Sequence, residues 1–350
     1  MKVLLVCTDA YGGHGGIALY NRDLAEALAA RDDVEEVIVV PRVIRKKPRV
    51  IPPKITFHAD AARGPLHYMR AIAKARRARP DLVICGHIHL LPVACALAAH
   101  PLLMIYGIEA WKRPRILLRE KLVHRAGAIV SISEITRDRM LAWSNYRGPT
   151  HLLPNAIHAD DYGIRTKRAD LVARYGLEGK RVMLTVGRLA SEERYKGFDE
   201  VIEVMPKLGD DVVYIIAGGG SDRPRLEHKV AQLGLRQRVI FTGLFPEEEK
   251  SDLYNLADLY VMPSRGEGFG YVLLEALASG LPVIGSKHDG GREALLAGAL
   301  GTLVDPSNPA EIEAAIRERL EHRTREIPKL LEHFSFEKFK ERLRDIMRSA

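Results

Sequence analysis

Residues 265–283 read Arg-Gly-Glu-Gly-Phe-Gly-Tyr-Val-Leu-Leu-Glu-Ala-Leu-Ala-Ser-Gly-Leu-Pro-Val, and the rest of the chain is best read outward from them. Gly266, Gly268 and Gly270 bracket a loop that runs into an apolar stretch closed by Gly280 and Pro282. Glycine lets backbone approach a ligand closely, and a helix start turns N–H groups and a positive dipole end toward an anion. Glu267 stands in the loop and Glu275 in the first helical turns, with seven residues between them. The segment therefore offers a carboxylate, phosphate-facing amides and a second carboxylate. That set suits a ligand with an anionic centre and hydroxyls on both sides, as in a nucleotide-sugar.

Around this segment, short apolar runs alternate with amphipathic stretches, the pattern of βαβ units and parallel sheets. Strands are predicted at Lys2–Cys7, Val34–Val40, Asp81–Cys85, Leu102–Tyr106 and Ala128–Ser133, with helices over 66–79, 92–99, 113–125 and 134–143. A second set has strands at Val182–Val186, Val212–Ala217, Val239–Thr242, Leu259–Met262 and Pro282–Ile284. Its helices fall near 197–207, 222–233, 247–256, 271–279, 291–297 and 309–322. The fold class is thus α/β, with two Rossmann-like domains, 1–160 and 161–335, joined at the turn-rich Leu153–His158 and facing a cleft. A last amphipathic helix, about 336–348, comes after the second set is complete. Open parallel sheets bind ligands at the carboxyl ends of their strands, which directs attention to the loops there.

The chain has 350 residues and a formal net charge of +8. Residues 41–125 hold 18 Lys or Arg against four acids, so this part carries +14 and the remainder −6. A basic face draws anionic partners. Aromatic residues are sparse around the clusters and no nucleic-acid motif appears, so an anionic membrane surface or a lipid-phosphate acceptor is the better expectation. The alternative is a merely solubilising surface. Cys7, Cys85 and Cys95 are odd in number and spaced for neither a disulfide framework nor a zinc site, which points to a reducing cytoplasm. The apolar N-terminal run is too short for a signal peptide, and no run has the length of a spanning helix.

Glu267-x7-Glu275, with Gly-Phe-Gly after the first glutamate and Glu-Ala-Leu-Ala-Ser-Gly-Leu-Pro-Val at the second, resembles the retaining glycosyltransferases of family 4. Gly187-Arg188-Leu189 followed by Lys196-Gly197 matches that family's pattern as well. The resemblance implies the GT-B architecture, with a C-terminal helix (336–350) crossing back onto a first domain that takes the acceptor, and a second domain that takes a UDP- or GDP-sugar. It makes Arg188 and Lys196 ligands of the donor diphosphate. Independently, cations at strand ends would stabilise the charge of a departing nucleoside diphosphate. Glu267 is implied to contact the transferred sugar and Glu275 the ribose, so losing Glu267 should cost turnover and losing Glu275 donor binding. The amides of Phe269, Gly270, Tyr271 and Val272 are expected to cradle sugar and phosphate. Gly15 and Gly16 would approach the donor phosphate, while Gly218 and the loop at Leu244 would help read the donor. No cofactor is expected. With no Asp-x-Asp in the chain, the diphosphate is expected to be stabilised without a metal.

Two positions depart from the family's pattern. Where it often carries His-Gly before a glutamate, this chain has Tyr106-Gly107-Ile108-Glu109. Tyr106 can hydrogen-bond an acceptor but is a poor base near neutral pH. His87 and His89 are the replacement candidates, with Glu109 and His14 as further acceptor contacts. Gly218-Gly219-Gly220 stands where the family often has an acid. A rival reading takes Gly13-His14-Gly15-Gly16-Ile17-Ala18 as a dinucleotide fingerprint, which would make the chain an NADP-binding oxidoreductase. The second strand ends Val39-Val40-Pro41-Arg42, without the acid that would hold a ribose. A catalytically silent nucleotide binder is a further alternative, as is a transferase with a small soluble acceptor.

Overall fold

The computed structural model describes all residues except 14, 47–49, 115, 116, 323 and 350. By contacts the chain divides into two compact units, Met1–Ala156 with Phe336–Ala350, and Ile157–Ser335.

The first unit is built on a parallel sheet of β1 (Lys2–Cys7), β2 (Glu36–Pro41), β3 (Ile55–Phe57), β4 (Leu82–Gly86), β5 (Leu102–Ile105), β6 (Ala128–Ser131) and β7 (Thr150–Leu152). Their spatial order is β3-β2-β1-β4-β5-β6-β7. The central strands are apolar on both faces because helices cover both. Leu4 and Val6 enter one core with Ile38, Val83 and Leu103, while Val3 and Leu5 are equally buried on the opposite face. Helix Gly16–Ala29 follows β1 and buries Tyr20, Leu24 and Leu28. The C-terminal helix Phe336–Ser349 lies against it, with Phe339 edge-on to Tyr20 at 5.5 Å between ring centroids.

The second unit repeats the plan with β8 (Arg181–Val186), β9 (Val212–Ala217), β10 (Val239–Gly243), β11 (Leu259–Val261), β12 (Val283–Ser286) and β13 (Thr302–Val304). Its order is β10-β9-β8-β11-β12-β13, again parallel. The chain winds outward from β8 to β10 and then returns to the other side of β8 to continue through β11. At such a reversal, neighbouring loops leave the sheet in opposite directions and open a crevice at the strands' carboxyl ends. In this unit the reversal lies between β8 and β11, and in the first unit between β1 and β4.

Three strands lie outside the sequence expectation: β3, β7 and β13, all at sheet edges. The helix expected over 113–125 is described at Leu117–Val123, and a separate short helix occupies Ile108–Trp111.

Candidate functional site

The loop after β11 carries Glu267 and is fixed from two sides. Toward β8, the Arg265 amide donates to the Tyr195 carbonyl at 2.7 Å, and the Arg265 guanidinium pairs with Glu200. Toward β12, the Glu267 amide donates to Asp289 Oδ2 at 2.9 Å, and the Gly290 amide donates to the Glu267 carbonyl at 2.9 Å. The contact is tight enough to require glycine at 290, where a Cβ would stand 2.1 Å from the Gly268 carbonyl oxygen.

Lys196 ends the helical turn Ser191–Lys196 in the connection after β8. Its Nζ donates to Glu267 Oε2 at 3.1 Å and lies 3.6 Å from Glu193 Oε2. Burial opposes the lysine charge, but Glu267, Tyr195 and Glu193 outweigh it and hold the pKa above the ordinary range. Arg188, at the end of β8, pairs with the other oxygen of Glu193, and its side chain is 70% exposed. Both expected cations and Glu267 therefore meet at the β8/β11 reversal, joined through Glu193. Sequence reasoning missed Glu193, which lies between the two cations in the chain.

Glu275 lies inside helix Tyr271–Ala278 and is only 2% exposed. Its Oε1 accepts from Lys250 Nζ at 2.6 Å and its Oε2 from the Tyr254 hydroxyl at 2.7 Å. Lys250 and Tyr254 were also missed. Phe269 is buried edge-on against Phe334, so it offers a ligand its backbone rather than its ring. Gly270 precedes the helix at φ +99°, so the chain turns sharply from the loop into the helix that begins at Tyr271. A Cβ on Gly218 would stand 1.9 Å from the Gly187 carbonyl oxygen, so glycine here lets the end of β9 close on the loop after β8. Leu244 is 88% exposed and packs beside Gly219.

In the first unit, Gly15 precedes helix Gly16–Ala29 with φ +95° and open space where a side chain would point. His14 lies outside the described residues. The Tyr106 hydroxyl donates to Asn21 Oδ1 at 2.7 Å, and Asn21 Nδ2 donates to the Asp9 carbonyl. Burial pushes the Tyr106 pKa well above its usual value, which makes the phenol a proton holder rather than a base. Asn21, unremarked in the sequence, is thus the link from Tyr106 to the loop after β1. The Glu109 carboxylate accepts from the Tyr106 and Gly107 amides at 2.6 and 3.2 Å, and burial raises its pKa. His87 Nδ1 accepts from the His89 amide at 3.1 Å, and the two rings lie 4.7 Å apart. No group of three or more His, Cys, Asp or Glu side chains gathers as a metal site among the described residues.

Residues 168–336 match the model of the glycosyl transferases group 1, and residues 15–156 match that of the glycosyl transferase 4-like domain. An alpha-D-kanosaminyltransferase of Streptomyces kanamyceticus is 30% identical over 208 residues, 57% of this chain and 52% of that protein. A GDP-mannose-dependent alpha-(1-6)-phosphatidylinositol monomannoside mannosyltransferase of Mycolicibacterium smegmatis is 31% identical over 206 residues, 56% of this chain and 53% of that one. The chain thus spans about half the length of these curated relatives. Among solved structures, Anabaena Alr3699/HepE in complex with UDP-glucose covers 100% of both chains with a TM-score of 0.79 at 20% identity. Sucrose-phosphate synthase from Thermosynechococcus elongatus covers 99% of this chain and 98% of its own with a TM-score of 0.76 at 21% identity. These likenesses establish the fold, two Rossmann-like domains of the GT-B type.

Proposed function

The chain belongs to the family-4, group 1 glycosyltransferases of GT-B fold, and from that premise we propose that it transfers a sugar from a nucleoside-diphosphate sugar to an acceptor hydroxyl with retention of anomeric configuration. The observation that carries this reading is the meeting of Lys196, Arg188 and Glu267 at the β8/β11 reversal, with Lys196 Nζ 3.1 Å from Glu267. In the reaction the bond from the anomeric carbon to the β-phosphate oxygen breaks, and the acceptor oxygen bonds to the same face of that carbon. The acceptor proton passes to the leaving phosphate. Lys196 and Arg188 offset the charge that grows on the diphosphate, in the role that a divalent ion would otherwise fill. Glu267, beside them, contacts the sugar and stabilises positive charge at the anomeric carbon. Glu275 takes the ribose hydroxyls, and the first unit takes the acceptor.

UDP- and GDP-sugars are both supported as donors. The HepE structure is a complex with UDP-glucose, and the mycolicibacterial relative is GDP-mannose-dependent.

For the acceptor we favour a lipid-linked or membrane-associated glycan precursor, met at the cytoplasmic face of a membrane. Helix Pro65–Arg77 supports this. It exposes Leu66 and Met69 to solvent at 70% and 66%, and Arg70, Lys74, Arg76 and Arg77 flank them. Apolar side chains ringed by cations suit insertion at the surface of an anionic bilayer. No helix among the described residues is long and apolar enough to cross a membrane. A small soluble acceptor is the second reading, favoured by the 30% identity over 206 residues to a D-inositol 3-phosphate glycosyltransferase of Xylanimonas cellulosilytica.

A thermal-shift panel of UDP, GDP, ADP and their sugar conjugates, with and without EDTA, tests the donor site on wild type and Glu275→Ala. A nucleotide at 100 times its dissociation constant stabilises the fold by about 2.7 kcal/mol. The expected result is one nucleotide class shifting the wild type, insensitive to EDTA and weakened in the variant. A shift with NADPH alone would overturn the reading. Flotation with anionic vesicles, lost in Leu66→Ser/Met69→Ser, is expected for the membrane-bound acceptor; no flotation favours the soluble one.

A further inference from the structure

Asp289 has no part in the chemistry above, yet it lies at the centre of the loop that carries Glu267. The side chain is 2% exposed. Its Oδ2 accepts from the Ser264 hydroxyl at 2.6 Å and from the Glu267 amide at 2.9 Å, and its Oδ1 accepts from the Gly291 amide at 2.9 Å. Ser264 lies just past β11, and Gly291 opens the helical turn Gly291–Ala294 after β12. One carboxylate thus ties together the loops that leave two neighbouring strands.

The tie acts on Glu267 from both ends of the residue. Asp289 takes its N–H, and the amide of the next residue, Gly290, donates to its C=O at 2.9 Å. With both main-chain groups held, the direction in which the Glu267 side chain leaves the backbone is set, and that direction brings Oε2 to 3.1 Å from Lys196 Nζ. We propose that Asp289 is a positioning residue that aims Glu267 at the donor site. The proposal rests on the reading above in which Glu267 acts beside the transferred sugar.

The choice of aspartate follows from the donors. Three of them converge on two oxygens, and only a carboxylate accepts at both ends. Asparagine would turn an NH2 group toward at least one N–H, and serine reaches too little of the set. Burial, resisted by these hydrogen bonds and reinforced by the nearby charge of Glu267, still raises the Asp289 pKa to about 6. The group is thus unfavourable as an isolated charge and is kept where geometry needs an acceptor.

The test is a double-mutant cycle on the full chain with wild type, Asp289→Asn, Glu267→Gln and the double variant. UDP release from UDP-glucose and GDP release from GDP-mannose are followed, together with UDP and GDP binding by calorimetry. A displacement of about 1 Å at a reacting group costs on the order of 100-fold in rate. Asp289→Asn should therefore lower turnover about 10- to 100-fold while nucleotide affinity stays within about threefold, and it should lower turnover no further in the Glu267→Gln background. An equal fold-loss in both backgrounds overturns the proposal and leaves the role of Glu267 standing. Wild-type turnover in Glu267→Gln overturns that role, and the proposal with it.

Should Asp289→Asn not fold, Ser264→Ala carries the same cycle. It removes one donor to Oδ2 and should give a smaller loss that again vanishes in Glu267→Gln. Independently of turnover, in crystals of Asp289→Asn the Lys196 Nζ to Glu267 Oε2 distance should open beyond about 4 Å, the limit of an ion pair. An unchanged distance overturns the proposal.

Discussion

Replacing Lys196 by methionine removes the charge and keeps most of the stem, so its effects follow from the two carboxylates the ammonium faces. Glu267 Oε2 lies at 3.1 Å and Glu193 Oε2 at 3.6 Å, and the three side chains are 14%, 21% and 10% exposed in the order Lys196, Glu267, Glu193. At an effective dielectric constant of about 20, each contact amounts to roughly 5 kcal/mol before desolvation is counted. Breaking a buried pair by removing one partner costs about 3–5 kcal/mol in practice. Water can reach Glu267, which places this site at the lower end, about 3 kcal/mol. At about 2–4 °C per kcal/mol for a unit of this size, the melting temperature should fall by about 6–12 °C. Turnover should fall further than instability explains, by about 100- to 1,000-fold, because a charge on the leaving diphosphate loses its partner. Adding Glu193→Gln to Lys196→Met separates the two effects. It removes one of the two carboxylates that lose the ammonium, the one that Arg188 still faces, so stability should return only in part while turnover does not. Calorimetric melting and nucleotide release on the three proteins decide it. Wild-type melting of Lys196→Met would refute the buried pairing, and wild-type turnover of Lys196→Met, or recovery of turnover in the double variant, would refute the assignment of Lys196 to the leaving group.

Two further outcomes follow from the other buried charges. Lys250→Met strands Glu275, which is 2% exposed, with only hydroxyl donors; urea unfolding should show a loss of about 3–5 kcal/mol, largely relieved in Lys250→Met/Glu275→Gln. Equal stability of the single and double variants would refute the pairing as a source of strain. Asp289 has an ordinary pKa of 3.8 and about 6 when folded, so the folded state binds its proton more tightly than the unfolded chain does. Its contribution is therefore fully present below pH 3.8 and is lost as pH rises through 6, by about 3 kcal/mol for a shift of roughly two units. Asparagine does not titrate, so the stability of Asp289→Asn relative to wild type should rise by up to that amount between pH 4 and 7.5. A pH-independent difference in urea midpoints would show that the carboxylate is not held under this tension.

The expected elements divide by how much of their environment lies in their own residues. β1, β8 and β9 are continuous apolar runs because helices cover both sheet faces, and the expected bounds fall on the observed ones to within a residue. β3, β7 and β13 are three residues each and pair on one side only. Thr150–Leu152, with a threonine and a histidine, has no buried residue, so neither an apolar run nor an alternation of period two could reveal it. The site divides in the same way. Glu267, Glu275, Arg188 and Lys196 sit in glycine-punctuated strings whose local order carries their meaning. Lys250 and Asp289 read as ordinary loop or helix charges, since their partners arrive from connections after other strands, whereas Glu193 pairs within its own connection and reads as one more acid of Ser191-Glu192-Glu193. Asp289 meets Glu267 across 22 residues and Lys250 meets Glu275 across 25, and no spacing rule for helix or strand links such positions. The one local signal for Asp289 was the Gly290-Gly291 pair behind it, which marks a backbone pressed against another.

Glu193, Lys250, Tyr254 and Asp289 are all partners of the residues legible in the sequence. A charge that binds a ligand must be reachable, yet Lys196 and Glu275 are largely enclosed. An enclosed charge needs a counter-charge or a set of hydrogen bonds in the resting protein. Glu193 supplies it for Arg188 and Lys196, Lys250 for Glu275, and Asp289 anchors the loop that brings Glu267 to Lys196. Arg188 is the exception in exposure, at 70%, and so is the cation a diphosphate can reach first. On the function proposed above, a diphosphate that meets Arg188 competes with Glu193 for its guanidinium. On this account the site is a set of internal pairs, and an incoming diphosphate meets its most exposed member first.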